Sequence, residues 1–264
     1  MIWGAFVARM AGTAFIVVAI SWVAARLGPT VGGIVVGLPI VLAPGLGFML
    51  FDQEPAFVAE AAAGALFSLC ATQIFLLAFL AVSRGTGPFL SVVLAAAAWL
   101  LLAVPLSVVP HDPLIGAAQF LAVTVLARRI GRVWISGDMA QASGTNWGLL
   151  VVRGLLAGFL VGSVTLGAAT LGPAFSGALM AFPIGFTVIA ISLHIDHGGS
   201  FAGQTAYAGL TGLISLASFC FCLALLLVRL PTSAAFVLAL AASLLATLML
   251  SLRARRIGPP AGLT

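Results

Sequence analysis

Apolar residues run through this chain in long unbroken blocks. The blocks neither alternate with polar residues nor form narrow stripes. A helix needs about 20 apolar residues to cross the hydrocarbon core, and within it only helices or closed barrels satisfy their backbone polar groups. Continuous runs without a period of two favour helices. The pattern predicts nine spans, near Ile2–Ala25, Thr30–Phe51, Ala56–Val82, Phe89–Val109, Leu114–Ala127, Trp147–Ala169, Ala174–Ile195, Ser200–Val228 and Ser233–Leu252. Turn residues punctuate them: Gly28-Pro29, Glu54-Pro55, Gly87-Pro88, Pro110 to Pro113, Gly172-Pro173, Gly198-Gly199 and Pro231. One long polar stretch, Arg128 to Asn146, reads as an interhelical loop.

Comparing the chain with itself reveals a second pattern. Trp3-Gly4, Val7 and Arg9 recur as Trp147-Gly148, Val151 and Arg153. Leu27-Gly28-Pro29 recurs as Leu171-Gly172-Pro173, Pro39-Ile40 as Pro183-Ile184, and Asp52 as Asp196. The offset is always 144, and positions 3 to 101 hold 27 identities in 99 without a gap. Chance in so biased a composition gives roughly ten. The expected organisation is a first four-helix repeat (1–112), a linking helix and loop (113–146) and a second four-helix repeat (147–264). If Leu114–Ala127 crosses, the second copy is inverted, giving an all-α 4+1+4 architecture with a pseudo-two-fold axis in the membrane plane. Many secondary transporters are built that way. If that segment does not cross, the repeat is parallel.

Composition narrows the class. Only 6% of the 264 residues are charged and 62% are hydrophobic, whereas soluble domains carry roughly 25% charged residues. A soluble monomer and a disordered chain are excluded. All eleven cations are Arg. With nine spans, Arg26, Arg84, Arg128, Arg129, Arg132, Arg253, Arg255 and Arg256 share one side and Arg229 lies on the other. The cation-rich side is expected to be cytoplasmic. That puts the N-terminus outside and the C-terminus inside a bacterial inner membrane. The net charge of +5 then reflects topology and not nucleic-acid binding. Met1 to Val7 lacks a positive n-region, so the first run reads as a retained helix. Cys70, Cys220 and Cys222 lie in apolar runs with no metal or disulfide spacing. No cofactor-binding motif is present, and His111-Asp112 is too isolated for a metal site.

Few polar groups remain for chemistry. Arg9 and Arg153 lie roughly 10 Å into their helices at 1.5 Å per residue. They are either an anion site, a partner for an acid of the other repeat, or headgroup-seeking side chains beside the interfacial Trp3 and Trp147. Pro39 and Pro183 fall near mid-span, with Pro44 as a further break. Gly32, Gly33, Gly37, Gly45 and Gly47 surround the first, and Gly177, Gly185 and Thr187 accompany the second. Gly- and Pro-interrupted segments at matched positions point to a transporter binding site, while close packing around a static kink is the alternative. Asp52 and Asp196 read first as helix caps and second as proton-coupling groups, together with Glu60 and His194. The glycine pairs Gly28/Gly32, Gly33/Gly37, Gly154/Gly158 and Gly158/Gly162 read as packing surfaces.

Gly37-Leu38-Pro39 with Pro44, and Ala181-Phe182-Pro183 followed by His194, resemble the Pro-bearing second helix of GlpM-like small membrane proteins. Those are single four-helix units, so the resemblance implies a fused, inverted pair here. Leu50, not His, aligns with His194, and the family's activity is poorly defined. The functional expectation is therefore a secondary transporter or permease for a small solute, with an anionic group as the option the Arg pair suggests. The alternative is a non-transporting membrane subunit or assembly partner. An intramembrane enzyme has the least support, and a channel differs from a carrier only in its flux behaviour. Partners are the bilayer and the solute, with homo-oligomer formation open.

Overall fold

The computed structural model describes residues 2–26, 38–135 and 147–256. The readings on Gly28-Pro29, Gly32, Gly33, Gly37 and the loop 136–146 lie outside the described residues. Among the described residues the fold is all-helical. Its helices are α1 (Ile2–Arg26), α2 (Leu42–Met49), α3 (Pro55–Val82), α4 (Pro88–Leu106), α5 (Pro113–Gly131), α6 (Trp147–Leu171), α7 (Pro173–Met180), α8 (Ile184–His197), α9 (Gly199–Leu226) and α10 (Thr232–Arg256). Seven stretches of the described chain are long and apolar enough to cross a membrane, with α7 and α8 together forming one. The expected total of nine is thus not reached by this measure. Trp3–Ala19 of α1 falls just short, and the Thr30–Phe51 span is only partly described.

Proline and glycine set the boundaries. α3, α4, α5 and α7 carry Pro at their first position, where the missing N–H is no loss. α5 starts where Asp112 accepts hydrogen bonds from the Leu114 and Ile115 amides at 2.8 and 3.0 Å. It then runs through Arg128 and Arg129 and passes into a short 3₁₀ turn at Arg132–Trp134. The polar loop expected from Arg128 therefore begins later. Gly172 and Gly198, at φ +77° and +84°, start α7 and α9 in a backbone region closed to most side chains.

The long helices dock through small residues. A Cβ on Gly158 would lie 2.3 Å from the Met10 carbonyl oxygen, while Gly154 faces Ala14 and Gly162 faces Phe6. α1 and α6 are therefore antiparallel, and the Gly154/Gly158/Gly162 stripe is the packing surface expected of it. Helices α3 and α9 have 28 residues each and are offset by 144 along the chain. They too are antiparallel, with Gly199 and Gly203 against Ser83 and Leu80, and Gly209 against Leu76. α5 runs parallel to α3, with Gly116 against Phe67 and Gly131 against Leu80. α10 returns along α9 through the Ser215–Ser243–Thr247 hydroxyl cluster.

α3 is the hub, with nineteen of its 28 residues buried. The outer helices leave Leu101, Leu114 and Met249 exposed, an apolar surface suited to lipid. At one end of the bundle Arg84 donates to the Trp134 carbonyl. Near it Arg128 bonds Thr211 and stacks over the Tyr207 ring, 5.6 Å from its centroid.

Candidate functional site

The two proline breaks converge. Ile40, after Pro39, packs with Val17 of α1 and Ala157 of α6, and Leu38, Val41 and Ile184 join the same cluster. Ile40 and Ile184 are the matched residues of the two copies. Gly45 of α2 lies against Met180 of α7, extending this contact between the halves. Pro39 and Pro183 are both buried. In the second copy the predicted kink is a complete interruption, with α7 and α8 separated by Ala181–Pro183; in the first, residues 38–41 are non-helical and α2 begins at Leu42. Pro44 is not a break. It sits in the first turn of α2, where proline is tolerated.

A polar clamp holds the second break. The Thr72 hydroxyl of α3 donates to the Ala181 carbonyl at 2.9 Å, and the Trp99 indole of α4 donates to Thr72 at 3.2 Å. The Trp99 ring meets Phe182 edge-on at 5.0 Å. The Thr187 hydroxyl donates to the Pro183 carbonyl at 3.0 Å and is thereby occupied. Sequence reasoning missed Thr72 and Trp99. A Trp deep in an apolar run was the available signal, because its N–H needs a partner there.

The arginines behave differently from each other. Arg9 is buried and forms an ion pair with Asp52, which follows α2. It is the only ion pair among the described residues. The acid comes from the same half and not from the other repeat, and this contact replaces the expected cap, since Glu54 takes the N-cap of α3 without a side-chain bond. Arg153 is 4% exposed, and its Nε is buried with no partner. Its guanidinium packs on Gly185, where a Cβ would lie 3.0 Å from Nη2 and 3.2 Å from Nε. By the α1–α6 register the two arginines each stand level with the middle of the partner helix, about 9 Å apart along the axis.

The remaining expected residues are scattered. Asp196 is exposed on α8 and accepts from Ser192 at 3.2 Å, so it does not cap α9 either, where Gly198 takes that place. Glu60 is exposed on α3, away from both breaks. His194 meets the Ser83 carbonyl at 2.8 Å through Nε2. A carbonyl only accepts, so Nε2 carries the proton, and the buried Nδ1 has no partner. An apolar crevice of about 10 Å³ lies between α3, α8 and α9, lined by Phe75, Phe79, Phe186 and Ile189. It has room for roughly one water. No group of acids, His and Cys able to hold a metal occurs among the described residues.

These features define a multi-pass membrane protein, all-helical among the described residues, in which the residues after both prolines join one cluster between α1 and α6. No protein-family model, curated protein or solved structure matches the chain. The resemblance to GlpM-like proteins rests on the Pro-bearing helices alone.

Proposed function

We propose that this chain is a secondary transporter or permease for a small solute, built as an inverted 4+1+4 pair with nine spans in a bacterial inner membrane. One observation carries the reading: Ile40 and Ile184, which follow the two prolines, join one apolar cluster between α1 and α6, and the buried Arg153 lies against Gly185 just after the second break. Interrupted helices at a repeat interface leave backbone groups and charges available to a solute near the midplane. Inversion is supported by the antiparallel docking of α1 on α6 and of α3 on α9, each pair related by the 144 offset. It is further supported by α5 lying parallel to α3 along most of its length. The clustering of Arg84 and Arg128 at one end fits a cytoplasmic face there, with the N-terminus outside and the C-terminus inside. Proton coupling would fall to Asp52, Asp196, Glu60 or His194.

In this reading the cluster around Ile40 and Ile184 closes the path, and flux requires it to part. The test is solute uptake into proteoliposomes. Saturable flux with counterflow is expected, abolished by P39L/P183L. Folded protein that moves no solute class would overturn transport. Co-purification with one defined partner would then favour the non-transporting subunit.

A further inference from the structure

We infer that Arg153 and the first turn of α8 form a binding site for a small monocarboxylate. This names a substrate class for the transporter proposed above and rests on that reading.

Arg153 is more than nine-tenths buried, and no acid or other acceptor meets it among the described residues. A buried charge without a counter-charge is costly, and such residues in membrane segments mark ligand sites. Its guanidinium lies on Gly185, the second residue of the fourteen-residue α8. Here the helix has donors to spare. The Ile184 amide donates to the Phe182 carbonyl at 2.8 Å and the Thr187 amide to the Pro183 carbonyl at 2.9 Å. The intervening Gly185 and Phe186 amides have no acceptor among the described residues. A helix N-terminus carries partial positive charge, and here a full positive charge is packed against it. The two repel each other unless an anion joins them.

The chemistry of that anion follows from the donors. The guanidinium offers a planar fork that matches a carboxylate. One carboxylate oxygen can accept from the fork and the other from the α8 amides. A single negative charge balances the single positive one. A dianion would leave excess charge beside Ile184, Ile40 and Ala157, which are apolar. Gly185 lets the guanidinium lie against the start of α8, since a Cβ would crowd it. The matched corner cannot serve the same way, because Asp52 already fills that role for Arg9.

The test uses the full-length protein in neutral-lipid nanodiscs and carboxylate-free buffer, titrated with acetate and with its neutral isostere acetamide. Calorimetric binding and thermal unfolding are the readouts. Acetate is expected to bind and to raise Tm, while acetamide does neither. R153K should weaken binding about 10- to 100-fold. R153M should abolish it, and should raise the Tm of the ligand-free protein by removing the uncompensated charge. A purely structural arginine would instead lower that Tm. Gly185→Ala should weaken binding in a protein that unfolds normally. Absent acetate binding, an equal response to chloride, or wild-type binding by R153M would overturn the site. So would a Tm response to phosphatidylglycerol alone, which would make the ligand a lipid headgroup. Flux of a neutral solute without acetate binding removes this site and leaves transport standing, whereas acetate binding without any flux does the reverse.

Discussion

The corners around Arg9 and Arg153 share matched Arg, Pro-Ile and Asp residues at the 144 offset, yet one holds an ion pair and the other a lone cation. The difference comes from the chain that follows each break. In the first copy α2 stops at Met49, and a turn through Leu50–Gln53 swings Asp52 onto Arg9. The Asp52 and Gln53 amides close that turn by donating to the Met49 carbonyl at 3.0 and 2.8 Å. In the second copy α8 continues through Asp196 to His197 and carries the acid away on its surface, where Ser192 bonds it. Matched sequence thus gives matched scaffolding but unmatched charge. One corner is closed from within, and the other is left for a ligand.

Substitutions can break this comparison in graded steps. The largest effect is expected at Gly177, which brings α7 onto α3. A Cβ there would sit 1.9 Å from the Ala61 carbonyl oxygen, which is backbone and cannot rotate away. Gly177→Ala should cost about 3 kcal/mol, read as a lowered unfolding midpoint. Next is Asp52→Asn, which leaves Arg9 buried without its counter-charge. With Asp52 itself half exposed, the loss should be about 2 kcal/mol. Thr72→Val removes the donor to Ala181 and the acceptor for the Trp99 indole, for a loss of about 1 kcal/mol. Its informative readout is faster amide hydrogen exchange around Phe182, since α7 and α8 would lose their clamp. Asp196→Asn should change stability by less than about 0.5 kcal/mol, as expected of an exposed residue. Equal costs for the two Asp variants would erase the asymmetry between the corners.

Much of this was legible in the sequence, for identifiable reasons. The 144 offset, the breaks at Pro39 and Pro183 and the glycine stripe of α6 all follow from chain-local chemistry. Proline removes a donor wherever it sits, and glycine permits close approach wherever helices cross. The convergence of Ile40 and Ile184 needed only the assumption that the repeats face one another. Partner choice was not legible. Asp52 as a cap and Asp52 as the counter-ion of Arg9 differ by how one turn is aimed, and that depends on the docking of α1 against α6. The Thr72–Trp99 clamp joins helices of one copy to a carbonyl of the other, and it has no counterpart in the matched positions Leu216 and Ser243. A repeat search favours symmetric features and is blind to such a contact.

The proposed inversion puts the two turns on opposite sides of the membrane, and their sidedness tests it most directly. Glu54, in the turn after α2, and Asp196, in the last turn of α8, are both exposed. In a background with Cys70, Cys220 and Cys222 replaced, Glu54→Cys and Asp196→Cys would each be treated with a membrane-impermeant maleimide, before and after cell lysis. Inversion with the N-terminus outside requires labelling of Glu54→Cys in intact cells and of Asp196→Cys only after lysis. Labelling of both from the same side would contradict it.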